Sequence, residues 1–124
     1  MDLFQEFFDG YKGTVLSWED GGGEEYLQQQ GFDLKSFDPE TEAQMLLDCM
    51  KFWREHRQDV MVDEDPDTAG LAGEDFWLGR QGQSTGFQDS EVWSEDARDR
   101  LHQAAGEFGV LNAYVEDGLV RLVS

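Results

Sequence analysis

The sequence predicts a single α+β domain, in which a small antiparallel β-sheet of two hairpins packs against a long central helix and shorter helices. Three observations predict this fold. A strong helix start precedes regularly spaced apolar residues from residue 39, alternating apolar residues lie among glycines at residues 74–89, and an Asp-Gly pair joins two alternating runs near the C-terminus. The length of 124 residues is that of one domain, so we assign residues 1–124 to one compact acidic unit.

Two short helical segments are expected before the central helix. Four apolar residues near the N-terminus share one helix face: Leu3, Phe4, Phe7 and Phe8. Because Gly10 and Gly13 weaken any continuation, we expect this helix to end near Gly10. A glycine turn at residues 21–23 then precedes one or two helical turns at residues 24–30, which Gly31 should stop.

The central helix is predicted to span residues 39–58. Asp38 can cap it, Pro39 suits the first helical position, and acidic residues follow in the first turn. Spacings of three and four place five apolar residues on one inward face: Ala43, Leu46, Leu47, Met50 and Trp53. A flanking stripe widens the predicted buried arc: Met45, Cys49 and Phe52.

An acidic loop is expected between the central helix and the first hairpin. Its acids alternate as in a calcium loop: Asp63, Asp65 and Asp67. Glu74 stands at the closing position, but the central glycine is two positions late, at Gly70, and Pro66 breaks the loop geometry. We therefore expect no calcium site here.

The first hairpin is predicted at residues 74–89. Phe76 and Leu78 point to one face of its first strand and Trp77 points to the other. The glycine-bounded segment 82–86 supplies the turn, and the return strand follows it. Helices on either side would cover this hairpin.

A last helix and a second hairpin complete the chain. Ser94 is a plausible N-cap, and the residues that follow it at helical spacing are Ala97, Leu101, Ala104, Ala105 and Phe108. Gly109 should end this helix. Residues 111–115 and 119–123 then alternate as strands around the Asp-Gly turn at 117–118.

Charge is the most unusual property of the composition. Twenty-eight Asp and Glu face nine Lys and Arg, for a net charge of −19. Sixteen aromatic residues argue against a disordered acidic chain, and the acids are dispersed rather than gathered in a tail. The resulting surface repels nucleic acid and anionic membrane and favours a basic protein partner. The simpler alternative is that the charge only keeps the protein soluble.

The residues that could carry chemistry are sparse. Cys49 lies mid-helix among apolar residues, and the two histidines form no pattern with it, so we expect no catalytic residues, no metal and no cofactor. The glycines at residues 21–23 are followed by acids, which would repel phosphate. A lone cysteine, no secretory signal and no apolar run of membrane-spanning length predict a cytoplasmic protein. The lack of catalytic residues predicts that it is not an enzyme.

Two stretches resemble a family of small phage-encoded proteins with no established biochemical role. Residues 75–89 follow the pattern DFWLxRxGxxxGFxD, and residues 108–118 follow FGxxxxYVxDG. Glu74, Gln83 and Gln88 stand where the family pattern has His, His and Trp, so any histidine chemistry of relatives would be absent here. The resemblance implies a phage or mobile-element origin. Small acidic phage proteins often inhibit host defence, which is an argument by analogy.

The leading hypothesis is therefore a phage-type inhibitor of a host defence protein or another nucleic-acid-binding protein, such as an anti-CRISPR or anti-restriction protein. It would act through an acidic surface in the cytoplasm of an infected cell, either by mimicking DNA or by blocking a basic site in another way. Eight acids near the first hairpin and its preceding loop are predicted to contact the partner: Asp63, Glu64, Asp65, Asp67, Glu74, Asp75, Asp89 and Glu91. The alternative is an acidic accessory or structural phage protein with no nucleic-acid-related target. A third hypothesis is a small enzyme that uses carboxylates.

Overall fold

The computed structural model describes residues 2–17, 27–61, 63–82 and 86–124. The described residues form four α-helices, two short 3-10 helices and one antiparallel β-hairpin. The α-helices are α1 (Leu3–Ser17), α2 (Pro39–Val60), α3 (Pro66–Arg80) and α4 (Glu95–Gly106). The 3-10 helices span Leu27–Gln30 and Gly86–Asp89, and the hairpin strands are β1 (Asn112–Glu116) and β2 (Leu119–Val123). The fold is thus α+β, but mostly helical.

The predicted first hairpin is wrong, because its first strand is the second half of α3. Asp65 caps this helix, its side chain accepting a hydrogen bond from the amide of Asp67, and Pro66 occupies the first helical position. The alternating pattern wrongly predicted a strand because α3 is buried on most sides. Phe76 and the adjacent Trp77 are therefore both fully buried, although they point in different directions from the helix. A helix that is buried on most sides exposes only a narrow polar stripe, which gives little sign of its helical period.

The helix α1 continues past the glycine that was expected to end it. It runs to Ser17 and packs mainly against α3. Gly10 faces the backbone of Gly70, and Gly73 faces the backbone of α1 at Phe7. The glycines therefore allow the two helices to approach closely instead of interrupting them.

The N-cap of α2 is confirmed, but its predicted inward face is wrong. The Asp38 carboxylate accepts hydrogen bonds from the amides of Glu40 and Thr41. The stripe predicted to flank the core is the one that is buried: Met45, Cys49 and Phe52. Three residues of the predicted inward face are 36 %, 60 % and 49 % exposed: Leu46, Leu47 and Met50. This side of α2 faces the core because the ring of Phe52 stacks there on the rings of Phe7 and Phe76.

The C-terminal part of the prediction is largely confirmed. Ser94 caps α4, and the buried residues of that helix are Ala97, Leu101 and Ala105. The hairpin turns at Asp117 and Gly118, whose positive φ angles of 56° and 76° suit a two-residue turn. The edge of β2 that faces away from β1 is hydrogen-bonded to another segment, because Val120 exchanges backbone hydrogen bonds with residues 36 and 38. This contact ties the hairpin to the start of α2.

Some predictions fall on residues that the structure does not describe. The glycine turn at 21–23, residues 24–26 of the next predicted helix and the turn residues 83–85 lie outside the described ranges. The described remainder of that helix is the 3-10 turn Leu27–Gln30, followed by Gly31 with a positive φ of 99°. Within the described ranges, no helix combines the length and apolar character needed to cross a membrane.

Arg80 links four parts of the fold from a position that is 3 % exposed. Its Nε and Nη2 atoms donate to the carbonyl oxygens of Gly109 and Phe108, and Nη1 donates to the Tyr11 hydroxyl and the Asp48 carboxylate, all at 2.9–3.0 Å. The acid that pairs with Arg80 is Asp48 of α2, which is distant in the chain. The guanidinium therefore joins α1, α2 and the segment after α4 to α3.

Candidate functional site

Seven of the eight acids predicted to contact a partner are exposed. Four lie between α2 and the first turn of α3: Asp63, Glu64, Asp65 and Asp67. Glu74 lies on α3, Asp89 ends the second 3-10 helix, and Glu91 follows it. Asp75 differs, because it is only 9 % exposed and faces the interior. It cannot present its carboxylate to a partner surface.

The acids before α3 are partly engaged in local structure. The Asp63 carboxylate accepts hydrogen bonds from the amide of Asp65 and the hydroxyl of Thr68. Glu64 adopts a positive φ of 52° and lies 3.7 Å from the Arg57 guanidinium, an exposed ion pair of small value. The hydrogen bonds therefore orient the carboxylates of Asp63 and Asp65, while the Glu64 carboxylate is held only weakly.

Two of the predicted acids meet in a groove of about 450 Å³ between the end of α2 and the starts of α3 and α4. Three carboxylates form its rim: Asp59, Asp63 and Glu91. Three apolar side chains form its floor: Val60, Trp93 and Ala97. We call this feature the acidic groove. An apolar floor with an acidic rim suits a long cationic side chain, whose methylenes can lie on the floor while its charge meets the rim.

The three carboxylates of the rim differ in whether a cation neutralises them. Arg100 pairs with Asp59 through contacts of 2.8 Å and 3.4 Å. Within the described ranges, Asp63 and Glu91 have no cationic partner. The negative potential of the acidic groove therefore comes mainly from these two side chains.

The buried Asp75 positions the floor of the acidic groove. The indole Nε1 of Trp93 donates a 2.8 Å hydrogen bond to its carboxylate, and the Nε of Arg98 donates to the Trp93 carbonyl oxygen. Burial raises the pKa of Asp75 to about 6; the hydrogen bond from Trp93 lowers it, and the charges of Glu74 and Asp89 raise it. Asp75 thus influences the acidic groove through its hydrogen bond to Trp93, and its own carboxylate is not part of the groove surface.

Replacing Asp75 with asparagine is expected to remove a pH-dependent loss of stability. The ordinary pKa of 3.8 applies in the unfolded chain and about 6 in the folded one. Below about pH 4 both states are protonated, and between about pH 4 and pH 6 the unfolded state ionises first, so the free energy of unfolding falls by about 2–3 kcal/mol. Urea unfolding of both proteins at several pH values should show the difference in favour of D75N growing across this window and then levelling. A difference that is constant with pH would contradict the assignment.

A second, smaller cavity of about 240 Å³ is lined partly by Asp48 and Arg80. These two groups pair with each other at 3.0 Å, and the Asp48 carboxylate also accepts a bond from Gln44. Its charged groups are thus already engaged within the protein. This cavity is a weaker candidate than the acidic groove.

Neither a nucleophile nor a metal cluster emerges from the described part of the chain. Cys49 is fully buried, and burial raises the pKa of its thiol, so it is held as the unreactive thiol. No group of three or more His, Cys, Asp or Glu among the described residues is arranged to hold a metal ion. The acidic groove can bind, but the groups around it supply no evident catalytic step.

Sequence reasoning missed Asp59 and Trp93. Asp59 lies in the last turn of α2, where a negative charge is unfavourable next to the helix dipole. An acid at such an unfavourable position could have indicated a functional role for Asp59. Trp93 precedes the Ser94 N-cap, a position where apolar residues often pack back against the helix start.

The fold and the site together define a small, strongly acidic, mostly helical α+β protein with an apolar-floored acidic groove. Comparisons with protein-family models, with curated proteins and with solved structures found no match.

Proposed function

We propose that this protein is a phage-type inhibitor that binds a basic, nucleic-acid-binding surface of a host protein. The contact surface would be the acidic groove together with the outer side of α3 and the acids Asp89 and Glu91. The observation that carries the proposal is the set of exposed acids on this side whose carboxylates make no hydrogen bond or ion pair with another described residue: Asp67, Glu74, Asp89 and Glu91. Uncompensated charge of one sign speeds encounter with a surface of the opposite sign.

The charge spacing favours blocking of a basic site over close imitation of a DNA strand. Asp67 and Glu74 are seven residues apart on α3 and lie about 10.5 Å apart along its axis. One DNA strand carries a charge about every 3.4 Å. The proposed surface is therefore sparser than DNA, and its specificity would come from the acidic groove receiving a Lys or Arg side chain of the partner.

The resemblance to small phage-encoded proteins supports the phage part of this proposal. The matching residues are largely structural: Asp75 holds Trp93, Phe76 and Trp77 fill the core, and Arg80 joins four segments. Gly86 lies close to the backbone of α3, where a side chain would not fit. Members of that family would thus share the fold, while the acids around it determine the partner.

The test compares two variants that remove equal charge from different sides. The groove-side variant carries D67N, E74Q, D89N and E91Q; the control carries E55Q, D99N, E107Q and D117N. All eight residues are exposed, and none of their side chains makes a hydrogen bond or ion pair with another described residue. Partners retained from host lysate at low salt are eluted with high salt or with duplex DNA, and their affinities are then measured. We expect the groove-side variant to lose at least about tenfold in affinity and the control to lose little.

Two results would contradict the proposal. Equal losses in both variants would mean that only net charge matters, and retention that resists both salt and DNA would mean that another surface binds. If no nucleic-acid-binding protein is retained, the accessory-protein alternative is favoured.

A further inference from the structure

The outer side of α2 carries an apolar stripe that no described part of the chain covers. Leu47 is 60 % exposed and Met50 is 49 % exposed, with Leu46 and Ala43 beside them. Their spacings of three and four make the surface continuous along the helix. We call these four residues the α2 stripe. Contiguous exposed apolar surface is a common feature of protein–protein interaction sites.

The charges at the two ends of the α2 stripe are opposite in sign. Glu40 lies seven residues before Leu47 and Arg54 seven residues after it, so all three face nearly the same direction. Each end is about 10.5 Å from Leu47 along the axis. Within the described ranges, neither Glu40 nor Arg54 has an ion-pair partner.

We propose that the α2 stripe is a homodimer interface, in which α2 packs antiparallel against α2 of a second copy. A two-fold axis at Leu47 places Leu47 against its own counterpart and Glu40 of each copy against Arg54 of the other. Such an isologous contact requires a self-complementary surface, and the symmetric placement of opposite charges about Leu47 meets that requirement. This proposal uses none of the acidic groove and stands independently of the proposed function.

Net charge opposes the same dimer. Two chains of −19 each repel one another over distances that salt screens, while the apolar contact is not weakened by salt. Dimerisation should therefore strengthen as salt is added. This is the opposite of the salt dependence expected for the basic partner.

Sedimentation analysis of the full chain, over a wide concentration range at low and high salt, tests the existence of the dimer. We expect a monomer–dimer equilibrium that favours the dimer at high salt. L47E should weaken it by at least about tenfold, because it buries a charge at the centre of the interface. The matched control is L71E on α3, where Leu71 is 40 % exposed, and it should leave the equilibrium unchanged. Circular dichroism confirms that both variants are folded.

A charge exchange tests the antiparallel geometry. E40R alone would place like charges together at both ends of the dimer, and so would R54E alone, so each homodimer should weaken. An equimolar mixture of the two variants restores both opposite-charge pairs, and we expect a heterodimer tighter than either homodimer. A wild type that is monomeric at every concentration and salt, a dimer unaffected by L47E, or a mixture no tighter than its components would each overturn the proposal.

Discussion

Replacement of Arg80 with alanine is expected to lower the free energy of unfolding by about 3–5 kcal/mol, the largest effect of any single substitution considered for this protein. The change removes four hydrogen bonds made by a side chain that is 3 % exposed. It leaves the Asp48 carboxylate without its counter-ion and the carbonyl groups of Phe108 and Gly109 without donors. Because a domain is stable by only about 5–15 kcal/mol, this loss would be a large fraction of the total stability of the protein. Urea unfolding followed by circular dichroism measures the loss.

The loss of stability in R80A should depend on the negative charge of its partner Asp48. The double variant R80A/D48N removes the uncompensated carboxylate and should recover part of the lost stability, as a double-mutant cycle would record. R80K should also lose most of the stability, because an ammonium group cannot reach four acceptors in the planar arrangement of a guanidinium. R100A breaks the exposed pair with Asp59 and should change stability little. If R80A were as stable as R100A, the central role of Arg80 would be refuted.

The second large effect is expected where α1 crosses α3. A Cβ on Gly73 would overlap the carbonyl oxygen of Phe7 and lie 2.8 Å from the amide nitrogen of Tyr11. These are backbone atoms, so the helices themselves must separate. G73A should lower the free energy of unfolding by about 2–3 kcal/mol, even though alanine favours a helix more than glycine does. G10A should behave similarly, because its Cβ would overlap the carbonyl oxygen of Gly70.

A control three residues away on α1 should show the opposite sign. A Cβ on Gly13 would meet no atom within 4 Å, so G13A gains only the helix preference of alanine and should stabilise the protein by about 0.5–1 kcal/mol. Thermal unfolding of G10A and G13A under identical conditions measures the contrast. Equal effects at the two positions would show that α1 and α3 are not in close contact in solution.

The sequence was most informative where structure is stabilised over a few residues. The caps Asp38 and Ser94 and the Asp-Gly turn at 117–118 form as predicted, because each is held by hydrogen bonds or backbone angles within about four residues. Asp65-Pro66 is the same helix-start signal as Asp38-Pro39, and it correctly marks the start of α3. The sequence analysis nevertheless predicted a loop here and a strand at residues 74–80, because a largely buried helix can also produce an alternating pattern.

The functional surface was predicted only in outline. The sequence located acids near the start of α3 and around residue 90, and seven of the eight are exposed. It could not indicate that Asp63 and Glu91 share one groove, that Trp93 forms its floor, or that Asp75 is buried behind it. Those relations depend on how α2, α3 and α4 meet. Residues far apart in the chain become neighbours only through that packing.

By itself, then, the sequence determined the acidic character of this protein, the helix starts at Asp38 and Ser94 and the turn of the C-terminal hairpin. Only the tertiary structure decided which side of α2 is buried, whether residues 74–80 are strand or helix, and which acid pairs with Arg80. The physical reason is that α2 is apolar on two sides and α3 on nearly all. Local preference does not choose among apolar faces; the choice depends on the area that each face buries against elements distant in the chain.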